Sequence, residues 1–95
     1  GVDPTDIDTV SGETVSYWFY NSKGTNTISY VMNIVSGDDT MLSGTWPQSG
    51  SCTNTGTQED FVITAGASRS VTVRVTVTAP SDIFNDTFDL VFRQL

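Results

Sequence analysis

The chain has no histidine, a single cysteine and only four basic residues against eleven acidic ones. Each shortage removes a class of function. Without imidazole there is no Ser-His-Asp or Cys-His relay, and a zinc site would lack its commonest nitrogen ligand. One thiol permits no intrachain disulfide. Set in the polar run Ser49-Gly50-Ser51-Cys52-Thr53-Asn54, Cys52 reads as a free thiol in a loop, or as the mate of a cysteine on another chain. A net charge of −7 repels phosphate backbones and anionic lipid headgroups, so nucleic acid is not an expected partner. No apolar run approaches the roughly 18 residues of a membrane span, so insertion of this segment is not expected, and no stretch has the layout of a signal peptide. The carboxylates are scattered, with no second catalytic feature beside them, so neither enzymatic activity nor a cofactor is expected.

What the chain does contain is Thr, Ser, Val, Asp, Asn and Gly, the balance of strands joined by polar turns; the helix formers Lys, Glu and Ala are scarce. Its 95 residues suffice for one core and not two, giving a single domain over 1–95. Beginning Gly1-Val2-Asp3 without Met, and stopping at Leu95 after a strand-like stretch, it reads as a module excised from a longer protein or as a processed chain.

The clearest strand is Ser70 to Thr78, with valine at every second position. Burying Val71, Val73, Val75 and Val77 stabilises by about 1.5–3 kcal/mol each, whereas the slipped register buries Arg74 without a partner, so the valines face the core. Asp60-Phe61-Val62-Ile63-Thr64 reads as the preceding strand, joined through Ala65-Gly66-Ala67-Ser68 with Gly66 available for a positive φ. Pro80 ends the valine strand, and Phe88, Leu90 and Phe92 share one face of the last. In the first half, Val15 to Tyr20 and Ile28 to Val35 alternate, a short strand is expected near Met41-Leu42, and Asp6 to Val10 reads as a leading edge strand. The polar stretch Ser43 to Gln58 is either a mobile binding loop or a disguised edge strand. Six or seven strands with turns between them, and no helical period, specify an all-β antiparallel sandwich.

The order Gly12-Glu13, then Val15, Tyr17, Phe19 and Asn21, then Trp46, Ala65-Gly66, Val71 to Val77, Pro80, and Phe88, Leu90 and Phe92 resembles the immunoglobulin-like accessory modules of prokaryotic secreted and cell-surface proteins, the cell-adhesion-related and α-galactosidase-associated types. The similarity spans about residues 12 to 92. It implies an immunoglobulin-like sandwich of about seven strands, an extracellular or cell-surface location, and a non-catalytic role as spacer and protein-contact surface in a larger protein. Ala65 stands where those modules usually have proline, and Asn85-Asp86 where glycine often precedes the last strand.

The four consecutive aromatics of Ser16-Tyr17-Trp18-Phe19-Tyr20-Asn21 pose a problem of parity, since a strand cannot bury all of them on one face. If Asn21 ends the strand as the resemblance implies, Val15, Tyr17 and Phe19 point inward, Trp18 and Tyr20 point outward, and Trp46 caps one end of the core. Trp18 and Tyr20, with Val62 on a neighbouring strand, then form an apolar strip for a partner, either a neighbouring domain, another surface protein or a polysaccharide. Alternatively the Ile7 segment covers the two rings, or they stack as an ordinary cross-strand pair. Asn85-Asp86-Thr87 fits the N-glycosylation pattern and doubles as a turn. Asp3, Asp6 and Asp8, with Asp38 and Asp39 or Asp82 and Asp86, fit no defined calcium loop and read as solvated turns, so no metal site is expected. A different role is a filament subunit in which the Asp3 to Val10 segment of one copy completes the sheet of the next.

Overall fold

A computed structural model describes residues 3–21, 26–80 and 87–95. Seven strands make up the described chain: β1 Thr5–Thr9, β2 Thr14–Phe19, β3 Ile28–Gly37, β4 Gln48–Cys52, β5 Thr57–Val62, β6 Arg69–Ala79 and β7 Thr87–Gln94. They form a five-stranded sheet in the order β1-β7-β6-β3-β4 and a two-stranded sheet, β2-β5. The two sheets pack face to face as an all-β sandwich around one core. Among the described residues no helix is long and apolar enough to cross a membrane.

The core follows the parity of the strands. Val71, Val73, Val75 and Val77 of β6 are buried, with Leu90 and Phe92 of β7, Ile28, Tyr30 and Met32 of β3, and Phe61 of β5. Arg74, between the valines, points to solvent and meets the Asp89 carboxylate opposite it at 2.9 Å. The register that buries the valines therefore also gives the cation a cross-strand counterion. Trp46 lies nearly parallel to Phe61, with ring centroids 6.1 Å apart, and packs partly buried against the core.

Several local expectations are corrected. The sandwich is not purely antiparallel, because β1 runs parallel to β7, with Thr5 opposite Leu90 and Thr9 opposite Gln94. The tight turn after β1 carries the chain to the other sheet, which puts β2 beside β5 and leaves β1 no hairpin partner. Arg93 anchors β1 by an ion pair to Asp6 at 2.9 Å and by its carbonyl, which accepts from the Thr9 hydroxyl. Asp6 to Val10 is thus largely the leading edge strand that its sequence suggested, paired here with β7 of its own chain. Part of the polar Ser43 to Gln58 stretch is edge strand β4, whose only deeply buried side chain is Cys52; the thiol is free, but it lies at a strand end under cover rather than in an exposed loop. Met41 closes a single 3-10 turn instead of a strand, and Leu42 makes an isolated bridge to Ile63. Strand β5 begins at Thr57, earlier than the apolar residues indicate. In the turn before β6 the positive φ belongs to Ser68, at 58°, and not to Gly66. Asn85, with Asp82 and Asp86, lies outside the described residues.

Candidate functional site

The short sheet is where the fold leaves itself open. On β2, Phe19 is buried and Val15 and Tyr17 pack partly against the core, while Trp18, and Tyr20 just past the strand end, are 49% and 57% exposed. Asn21 is buried at the end of this segment; its backbone amide donates to the Thr53 carbonyl and its side-chain amide to the Asn26 carbonyl. That anchor fixes the parity of the four aromatics. The Trp18 and Tyr20 rings lie side by side, with centroids 6.4 Å apart and planes inclined by 23°. Tyr20 leans on Gly56, where a side chain would come within 2.6 Å of the ring; glycine there leaves the ring its seat.

Val62 is also exposed, at 44%, but does not join this pair. It sits opposite Thr14, whereas Trp18 sits opposite Gln58, and the Ser16–Asp60 pair lies between them. That interval is filled by a polar cluster: the Ser16 hydroxyl donates to Asp60 at 2.7 Å, and the Gln58 amide donates to the same carboxylate oxygen at 2.7 Å. These two bonds, Gln58 first and Ser16 second, hold the Asp60 carboxyl below its usual range. The outer face therefore reads as an aromatic pair, a hydrogen-bonded polar rung and a separate valine, instead of one apolar strip.

The second feature is the edge of β2. Among the described residues its only strand neighbour is β5. Ile63 donates its amide to the Glu13 carbonyl, and the Val62 carbonyl accepts from Ser43 on the far side of β5. In an antiparallel pair the residues alternate between those bonded across the pair and those whose amide and carbonyl point away. Val15, Tyr17 and Phe19 are therefore bonded to β5, while the backbone groups of Thr14, Ser16 and Trp18 point to the free edge and have no partner among the described residues. Proteins usually guard such edges with charge, proline or a bulge. The strand Thr-Val-Ser-Tyr-Trp-Phe has no charge and no proline, whereas β1, at the edge of the larger sheet, carries Asp6 and Asp8.

A half-open cavity of about 290 Å³ adjoins this edge. It touches Tyr17, Trp18, Phe19 and Tyr20 in succession, and no residue of β5 lines it. The other lining residues come from the start of β3, the end of β4, the end of β6 and the start of β7, so the cavity lies at one pole of the sandwich, where the β2 edge ends at Trp18. Its floor is apolar, from Val75 and Val77 of β6 and Phe88 of β7. Phe19 holds Tyr30 and Phe88 edge-on at 4.9 and 5.8 Å, which fixes the shape of the wall. Cys52 is also in the lining, and burial pushes its thiol up from the ordinary range.

Electrostatically the described surface offers no free arginine. Arg69 faces Asp38 at 3.7 Å, Arg74 is matched by Asp89 and Arg93 by Asp6, so the excess charge of the chain is carboxylate. Among the described residues no three side chains of the metal-binding types converge. The free edge and the cavity escaped the sequence reading; the absence of charge and proline from β2 was the signal that could have revealed the first. The chain matches no family model, no curated protein and no solved structure.

Proposed function

We propose that the chain is a non-catalytic, immunoglobulin-like module of an extracellular or cell-surface protein, serving as a spacer and as a contact surface for neighbouring domains or other surface proteins. The observation that carries this reading is the strand order. An immunoglobulin sandwich places its strands G, F, C and C′ in one sheet and B with E in the other. Here β7, β6, β3 and β4 follow the first order and β2 with β5 the second, and β1 lies beside the G-equivalent strand. An acidic, well hydrated surface suits a module that stays soluble between others. The contact surface is the β2–β5 layer, where Trp18 and Tyr20 are bare. The test is binding of adjoining domains of the parent protein by Trp18→Ala and Tyr20→Ala variants. Affinity should fall at least several-fold in one of them, and equal affinity in both would remove these residues from the claim.

A second reading has its own support. Two rings of similar inclination beside the Ser16-Gln58-Asp60 rung offer both the apolar platform and the hydrogen-bonding groups that a sugar ring requires. Titration with neutral polysaccharides, followed by tryptophan fluorescence, should quench or shift Trp18; a silent titration would end this reading. Assembly by donation of the Asp3 to Val10 segment has less behind it, since β1 is engaged on its own β7.

A further inference from the structure

We infer that the free edge of β2 is an acceptor for a β-strand supplied by a partner polypeptide, with one bulky apolar side chain of that strand lodged in the adjoining cavity. The inference rests on the reading of the chain as a contact module and names what the contact is. Two observations meet at one place. The backbone groups of Thr14, Ser16 and Trp18 have no partner among the described residues and are unguarded, and a cavity with an apolar floor lies at the Trp18 end of that ladder. Strand addition uses this combination: main-chain hydrogen bonds supply affinity, and a pocket beside the edge reads alternate side chains. Either element alone would be ambiguous. Together they specify an extended segment with apolar residues at every second position, the largest of them beside Trp18.

Charge selects the partner. The chain carries −7, its described arginines are all engaged by carboxylates, and β2 itself is neutral. A segment with basic residues at its outward positions is attracted, whereas a second copy of this chain is repelled. The occupant is therefore a basic or neutral segment of a different polypeptide.

The test uses the whole chain and a capped peptide, Lys-Val-Thr-Phe-Thr-Val-Lys, with hydrogen exchange read residue by residue. In the free protein the amides of Thr14, Ser16 and Trp18 should exchange quickly and those of Val15, Tyr17 and Phe19 slowly. Peptide should slow the first set and leave the second unchanged. Methylating the amides of the two peptide threonines in one analogue, and of the two valines in another, should weaken binding about tenfold in only one of the two, because only alternate amides face β2. Replacing the peptide phenylalanine by serine should also weaken binding about tenfold. The Ser16→Pro variant, which removes an edge donor and the side-chain bonds of Ser16 to Asp60 and Gln58 but no backbone bond to β5, should lose the peptide while keeping its slow amides. Absence of new protection at Thr14, Ser16 and Trp18, or equal binding by both methylated analogues, overturns the inference. So does concentration-dependent protection of those amides without peptide, which would make the occupant a second copy. A failed peptide alongside partner binding that depends on the Trp18 and Tyr20 side chains would sink the edge and leave the module reading standing.

Discussion

Replacing Gly50 by alanine tests how the two sheets are fastened. Gly50 lies in β4 beneath a bond that crosses the sandwich, in which the Tyr30 hydroxyl of β3 donates to the Glu59 carboxylate of β5. A methyl group on Gly50 would lie 2.5 Å from the carboxylate oxygen and 2.6 Å from the Tyr30 hydroxyl. The Tyr30 ring is held edge-on by Phe19, so the flexible end of Glu59 must give way and the bond breaks. A hydrogen bond to a charged group contributes about 1.5–3 kcal/mol, and crowding a packed site costs about 1–3 kcal/mol. Restricting the unfolded chain returns about 0.4–1 kcal/mol. The net loss should be about 3 kcal/mol, a fall in Tm of about 12–24 °C for a domain of this size. Urea and thermal unfolding, followed by tryptophan fluorescence, measure it. In a Tyr30→Phe background, where the bond is already absent, Gly50→Ala should cost only about 1 kcal/mol. A loss below about 0.5 kcal/mol in the parent, or the same loss in both backgrounds, would refute the reasoning.

Phe92→Ala, in the centre of the core, should cost about 3–5 kcal/mol in urea unfolding, whereas Trp18→Ala should change stability by less than about 1 kcal/mol, since its ring covers nothing in the core. Burial, and then the bond and charge of Glu59, push the Tyr30 phenol well above its ordinary 10.0. The unfolded chain therefore loses that proton first, and stability should be level below pH 10 and fall above it; Tyr30→Phe should flatten the alkaline limb. Thr40 holds the Asp38 carboxyl, and Gln58 the Asp60 carboxyl, below the ordinary 3.8, so their stabilising effect is present above that pH and lost as it falls further. Unfolding midpoints measured down to pH 2 should decline less steeply in an Asp38→Asn, Asp60→Asn double variant. The buried Cys52 thiol should react with iodoacetamide slowly in the folded protein and rapidly in urea; equal rates would contradict its burial.

The fold was legible wherever a strand buries one face fully. The valines of β6 and the Phe88, Leu90, Phe92 face of β7 announce themselves because apolar residues recur at every second position on the core side. Strand β4 does not, because an edge strand of sequence Gln-Ser-Gly-Ser-Cys buries almost nothing and leaves no period to read. The parallel pairing of β1 was hidden for another reason. Alternation reports which face is buried but not which neighbour is bonded, and the Asp6–Arg93 and Thr9–Arg93 contacts that hold β1 span most of the chain. For the candidate site, parity correctly turned Trp18 and Tyr20 outward. Val62 shares their face but lies on the other side of the Ser16–Asp60 rung, a separation that depends on cross-strand register and is invisible in either strand alone.

The direction of β1 matters for a protein pulled at both ends. Because β1 and β7 run the same way, the start of β1 at Thr5 and the end of β7 at Gln94 lie at opposite ends of the five-rung ladder that joins them. Tension between them acts along both strands at once, so the rungs from Thr5–Leu90 to Thr9–Gln94 are sheared together instead of being unzipped one at a time. An antiparallel terminal pair, with both ends at one pole, would peel from its tip under far less force.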